Sequence, residues 1–139
     1  PAGPGRPKAA GSLQPTQDPH AEAIMSEVKH VSSVDFEREV TQSGVPVLVD
    51  FYATWCMPCQ MLSPALEKLA GSFEGRVKFV KVDVDQEPHL AATHEISGVP
   101  TLKLFRAGRI EETMVGLPPL RSLQASLEKA AAPARSAAV

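Results

Sequence analysis

Apolar and polar positions along this chain repeat with two periods, and the switches between them mark out the elements. Val28-Lys29-His30-Val31 reads as a short strand. Ser32 or Ser33 then supplies an N-cap for a helix that carries Val34, Phe36 and Val40, has acids in its first turn and closes at Ser43-Gly44. Val47 to Tyr52 is β-branched, apolar and aromatic apart from Asp50, which is the composition of a strand buried on both faces. Two cysteines follow at once, and a helical period then runs through Met61, Leu62, Pro64, Leu66, Leu69 and Ala70. Pro64 is expected to kink that helix, because its ring lacks an N–H and crowds the carbonyl four residues back. After a break from Gly71 to Gly75, Val77 to Val84 forms a third, mostly buried strand, and Pro88 opens a short helix to about Glu95.

Thr101 to Phe105 and Ile110 to Val115, joined through Arg106-Ala107-Gly108-Arg109, read as a hairpin. Pro118 or Pro119 opens a last helix with a core face of Leu120, Leu123, Leu127 and Ala130. The order of elements predicts an α/β domain: a central mixed five-stranded sheet flanked by four helices, with parallel pairs made by crossovers and an antiparallel pair by the hairpin.

Composition adds boundaries to this outline. The 139 residues are 43% hydrophobic with a net charge of -2, enough for one real core and no electrostatic case for nucleic acid or an anionic membrane. Residues 1–25, rich in Pro, Gly, Ala and Gln, read as a flexible tail, residues 26–131 as the domain, and residues 132–139 as a frayed end. The tail leaves a tag, a processed leader or an alternative start at Met25 open. No apolar run reaches the roughly 18 residues of a membrane span. Two cysteines three positions apart cannot build a disulfide framework, which favours a working thiol pair in a reducing compartment. A cytoplasmic location is expected, with an organelle or the cell envelope as the alternative if the tail is a leader.

The chemistry concentrates where the second strand meets the dithiol. Cys56 stands at a helix N-terminus and Cys59 one turn in, so unpaired backbone N–H groups and the helix dipole favour a thiolate on Cys56. Asp50 is the anomaly of its strand, since a buried carboxylate without a partner is costly unless it stays protonated or has a task.

Trp55-Cys56-Met57-Pro58-Cys59, with Asp50 before it, Lys81 and Val82-Asp83-Val84-Asp85 after it, and Gly98-Val99-Pro100-Thr101-Leu102 further on, jointly resembles the thioredoxin family from about Val28 to Ala130. The resemblance implies the thioredoxin fold and a protein-disulfide reductase in which Cys56 attacks a client disulfide and Cys59 resolves the mixed disulfide. It makes Asp50 the candidate acceptor for the proton of a buried Cys59, with Lys81 pairing with Asp50 and moderating it. It also implies a cis Val99–Pro100 loop against the dithiol, and a docking surface formed by Trp55, Met57, Pro58, Gly98, Val99, Pro100 and Gly116. No cofactor is expected beyond the Cys56–Cys59 disulfide, with NADPH used indirectly through thioredoxin reductase. The implied partners are that reductase and disulfide-containing clients, and a monomer is expected. Met57 departs from the family, whose members typically carry Gly there, and Leu117-Pro118-Pro119 departs beside Gly116.

Plainer readings stand beside these. Asp50 is alternatively a strand-end acid capping a turn, Lys81 the solvated face of its strand, Val99-Pro100 an ordinary trans turn, and Gly98 and Gly116 turn glycines. A zinc site would need His89 and His94, which stand about 140° apart on a helix and at about twice the usual gap from Cys59. His20 and His30 are expected to face solvent. A cysteine hydrolase would need a facing histidine that no local signature names. The remaining alternatives are a specialised envelope or organelle dithiol protein of cytochrome-maturation or disulfide-isomerase type, and a non-catalytic binding module.

Overall fold

A computed structural model describes residues 28–132. The expected tails and His20 lie outside the described residues, as do Ser26 and Glu27; of the 132–139 end, only Ala132 is described. Strand β1 (Lys29–His30) leads into α1 (Ser33–Phe36), which continues as a π-helical turn over Glu37–Thr41. Then come β2 (Val47–Tyr52), α2 (Met57–Ser72), β3 (Lys78–Asp83), α3 (Pro88–Thr93), β4 (Thr101–Arg106), β5 (Arg109–Val115) and α4 (Leu120–Ala131). The five strands form one sheet in the order β1-β3-β2-β4-β5. β3 runs parallel to β1 and β2, while β4 is antiparallel to β2 and β5, so the expected mixed sheet with four helices is what the chain builds.

Strand β2 is the middle of the sheet, and this explains its composition: with a neighbour on each edge and a layer on each face, Val47, Leu48, Val49, Asp50 and Phe51 are all buried. Its alternate residues feed two cores. Leu48 joins Leu62, Leu66, Phe79, Leu102, Leu104, Leu123 and Leu127 under α2 and α4. Val47, Val49 and Phe51 join Phe36, Val40, Val80, Val82, Leu90 and Phe105 under α1 and α3. Burying one such side chain contributes about 1.5–3 kcal/mol. The two cores therefore clamp β2 from both sides and fix the point at which it delivers the chain to the dithiol.

Smaller features hold the frame. Glu39 takes the Lys78 ammonium at 2.9 Å and that of Lys29 at 3.4 Å, tying the first helix to the sheet. The β4–β5 hairpin turns through Ala107 and Gly108, both at positive φ, the backbone twist that two-residue hairpin loops favour. A Cβ on Gly108 would stand 3.2 Å from the Thr41 carbonyl, so that close approach also calls for glycine.

Three apolar positions of the expected helical patterns lie outside the core. Val34 is exposed, because Phe36 and Val40, at i and i+4, already occupy the inward stripe, and Val34 stands about 200° from Phe36. Met61 is exposed, since the buried stripe of α2 is Cys59, Leu62, Leu66 and Ala70, and Met61 instead shares the face of Met57 one turn before it. Leu120 is exposed at the first position of α4, ahead of the buried set Leu123, Leu127 and Ala130. Element boundaries also move: α2 continues past Gly71 to Ser72, β3 spans Lys78–Asp83 rather than Val77–Val84, β1 is Lys29–His30 rather than Val28–Val31, and α3 ends at Thr93 rather than about Glu95.

Candidate active site

Cys56 is the N-cap of α2, with extended backbone (φ -88°, ψ 113°), and Pro58 in the first turn suits a helix start because the N–H it lacks would have no partner inside the helix. The Cys59 amide donates to Cys56 Sγ at 3.1 Å, a contact that also favours negative charge on that sulfur when the pair is reduced. Cys56 and Cys59 are joined as a disulfide with Cα atoms 5.3 Å apart. Both are buried; Cys59 is 4% exposed, as expected, and Cys56 is equally covered in this oxidised form. Ala53 shares their cluster, and Tyr52, Val84 and Val99 pack against it.

Asp50 lies behind this pair on β2 and is 4% exposed. Its Oδ1 is buried without a hydrogen-bond partner among the described residues. Burial raises its carboxyl to about 7, and the Lys81 charge opposes only part of that rise. Asp50 and Cys59 line one cavity of about 260 Å³ together with Tyr52, Ala53, Thr54, Gln60, Ser63 and Lys81. That is room for several waters, and the lining offers them polar partners.

Lys81 is brought opposite Asp50 by the parallel register of β2 and β3. The expected pairing is not made: among the described residues no Asp50–Lys81 contact falls within 4 Å, and the Lys81 ammonium lies over the Tyr52 ring, 5.3 Å from its centroid.

The expected docking residues divide by exposure. Trp55 and Met57 stand 69% and 65% exposed beside the disulfide, with Pro58 exposed between the cysteines. Trp55 Nε1 donates to Asp85 Oδ2 at 2.8 Å, which fixes the indole. The Val99–Pro100 bond is cis. Val99 and Gly98 are half-buried and Pro100 is buried, and Val99 packs against the cysteine cluster. Thr101 Oγ1 donates to the Gly98 carbonyl at 2.6 Å, and the Gly116 amide donates to the Pro100 carbonyl at 2.8 Å, which holds the loop from both ends. Gly116 has φ +88°, so its turn conformation itself calls for glycine, while a Cβ on Gly98 would meet only Val115 at ordinary contact distance.

Other residues enter the site without having been expected there. Gln60 Nε2 donates to the Thr54 carbonyl at 2.9 Å and straps the loop before Cys56. Ser63 follows Cys59 by four residues, the spacing that puts both on one helix face, and that spacing was a usable signal. Tyr52, two residues beyond Asp50, shares its face of the sheet. His30, expected simply to face solvent, is exposed but bonded to Tyr52, its Nε2 2.8 Å from the hydroxyl. His94 packs against Phe36, Phe51 and Phe105, with centroids 5.0, 5.7 and 5.7 Å away, and burial lowers its pKa. Among the described residues, no three metal-ligating side chains cluster.

A disulfide that spans a single helical turn closes no long loop and contributes little as a staple, so its use is to open and re-form. That makes the domain a dithiol–disulfide exchange protein. The chain belongs to the thioredoxin family, whose sequence profile, described as Thioredoxin, matches residues 27–129. It is 42% identical over 105 residues to Thioredoxin 1 of a Nostoc species, across 76% of this chain and 98% of that protein. Identity to the Thioredoxin of Haemophilus influenzae is 43% over 99 residues, 71% of this chain and 92% of that one. The chloroplastic Thioredoxin M4 of Arabidopsis thaliana is 37% identical over 113 residues, 81% of this chain and 58% of that protein. With the Cys56–Cys59 pair in place, the protein is a thiol-disulfide oxidoreductase that acts as a protein-disulfide reductase.

Proposed function

We propose that reduction proceeds in two exchanges with Asp50 as the proton acceptor between them. The Cys56 thiolate attacks one sulfur of a client disulfide; a Cys56–client disulfide forms and the client's other sulfur leaves as thiolate. Cys59 loses its proton to Asp50 through water in the shared cavity. The Cys59 thiolate then attacks Cys56 Sγ, the Cys56–Cys59 disulfide forms, and the second client sulfur leaves as thiolate. The two electrons of the dithiol have passed to the client, which collects its protons from solvent.

The observation that carries this reading is the unpartnered, buried Asp50 Oδ1 on the cavity that Cys59 also lines, because a carboxyl raised to about 7 can both hold and release a proton near neutral pH. The partner that restores the dithiol is thioredoxin reductase with NADPH, and clients dock along Trp55, Met57, Pro58, Gly98, Val99, Pro100 and Gly116. The working dithiol suits a reducing compartment, the cytoplasm first. Among the described residues no helix is long and apolar enough to cross a membrane. Named relatives that are thioredoxins do not favour the envelope or isomerase alternatives or a non-catalytic module.

The test is turnover of insulin with thioredoxin reductase and NADPH. The expected result is NADPH oxidation that continues until the insulin disulfides are consumed, with resolution of the mixed disulfide slowed at least tenfold by Asp50→Asn near pH 7. Reduction by the chemically reduced protein without any reductase turnover would remove the partner assignment. Unchanged resolution in Asp50→Asn would remove the role of Asp50.

A further inference from the structure

The groups around Asp50 form a block on one face of the sheet. Asp50 is in register with Lys81 across β2 and β3, and Lys81 with His30 across β3 and β1, so these three make one row over three strands. Tyr52 and Asp83 are paired in the next row. All four other members are engaged. His30 Nε2 sits 2.8 Å from the Tyr52 hydroxyl, the Lys81 ammonium lies 5.3 Å from the Tyr52 ring centroid, and Asp83 Oδ1 accepts from the Asp85 and Gln86 amides at 2.9 and 3.4 Å. Asp50 is left with a buried Oδ1 that has no hydrogen-bond partner among the described residues.

This arrangement runs against simple electrostatics. A flexible lysine placed by register opposite a buried carboxylate is expected to reach it, since attraction between opposite charges strengthens as water is excluded. The Lys81 ammonium instead occupies the electron-rich face of an aromatic ring, a favourable site for a cation. The ring is half-buried, and its hydroxyl is tied to the edge strand by His30, so its face is fixed in place.

We infer that Tyr52 is a positioning residue: its ring, pinned by His30, holds the Lys81 ammonium and keeps it off Asp50, so that the carboxyl remains unpaired on the cavity it shares with Cys59. A lysine in direct contact would hold Asp50 ionised and bonded, and a carboxylate so engaged is a weak proton acceptor. A lysine held on the ring moderates the carboxyl without quenching it. The charged and titratable groups facing Asp50 are Lys81, Asp83, His30 and the Tyr52 hydroxyl from the sheet, and Cys59 from α2. The functional meaning rests on the reading of Asp50 as proton acceptor; the placement of Lys81 does not.

The experiment is titration of the Asp50 side-chain carboxyl carbon by NMR in the disulfide form, where neither cysteine titrates. Tyr52→Leu removes the ring, so Lys81 reaches the carboxylate and the Asp50 midpoint falls by about one to three pH units, the effect of a close opposite charge. In Tyr52→Leu/Lys81→Met that fall is abolished, and Tyr52→Phe, which keeps the ring but loses its bond to His30, shows a smaller fall than Tyr52→Leu. A midpoint unmoved by Tyr52→Leu, or one that falls equally without Lys81, overturns the inference. Should Tyr52→Leu fail to fold, the native protein supplies the second measurement. Ring-current shifts of the Lys81 ε-protons are expected, and unshifted ε-protons overturn the inference. Because the oxidised protein is read, these outcomes stand apart from the Asp50→Asn resolution rate, which tests the acceptor role by itself.

Discussion

Replacing Asp50 by Asn should stabilise the disulfide form by an amount that grows with pH. Burial, partly opposed by Lys81, raises the Asp50 carboxyl from 3.8 to about 7. Between those values the folded chain keeps a proton that the unfolded chain has lost, so stability falls as pH rises through this window. Below it the penalty vanishes, and above about pH 7 it is complete. At 1.36 kcal/mol per pH unit over roughly three units it amounts to about 4 kcal/mol, a large fraction of the 5–15 kcal/mol that holds a typical domain together. The Asn amide does not titrate. The stability gap between variant and parent should therefore be flat below about pH 3, widen by about 1.7 kcal/mol by pH 5 and level off about 4 kcal/mol wider by pH 8.5. Burying the amide adds an offset that moves the whole curve and leaves its shape alone. Urea unfolding of the oxidised protein at several pH values, with the slope m unchanged, reads the gap directly. A gap that stays constant between pH 4 and pH 8 would refute the raised carboxyl, and with it the reason Asp50 can exchange a proton near neutrality.

Leu127→Ala empties a site fully buried between α4 and the sheet and should cost about 2–5 kcal/mol in urea unfolding; a loss under about 1 kcal/mol would contradict that packing. Glu39 is held near 2, first by its hydrogen bond to Lys78 with Lys29 adding to it, so its stabilising effect is present above about pH 4.5 and fades as pH falls through 2. Glu39→Gln should then lower the melting temperature far more at pH 6 than near pH 2, whereas an equal loss at both would show that charge is not the cause. Met57 is exposed and beside Cys56, so Met57→Ala should shift stability by less than about 0.5 kcal/mol while raising KM for a protein disulfide with kcat preserved. An unchanged KM would take Met57 out of the docking surface.

The stretch from Val47 to Cys59 was legible because each residue answers to one strong constraint. A central strand must be apolar on both faces, and a helix must start where the backbone of Cys56 and Pro58 allows it. Helical period identifies a stripe on α2 and α4 but not where burial stops, and Met61 and Leu120 belong to that period yet lie outside the core. Lys81 was legible as the residue opposite Asp50, yet the partner of its ammonium was not. That depends on Tyr52, which in turn depends on His30 in a strand of two residues whose register no sequence pattern specifies. Ser63 and Gln60 were within reach, since residues one turn from a catalytic cysteine face the same neighbourhood. The positive φ of Ala107 left no trace, because alanine carries no turn signal.

The central claim is that Cys56 attacks and Cys59 resolves. The direct measurement is mass spectrometry of Cys56→Ser and Cys59→Ser, each reduced and mixed with a disulfide-bonded protein. Cys59→Ser should accumulate a one-to-one mixed disulfide through Cys56, while Cys56→Ser, left with a buried thiol one turn inside α2, should accumulate almost none over the same time. Adduct formation through Cys59 at a comparable rate would contradict the assignment.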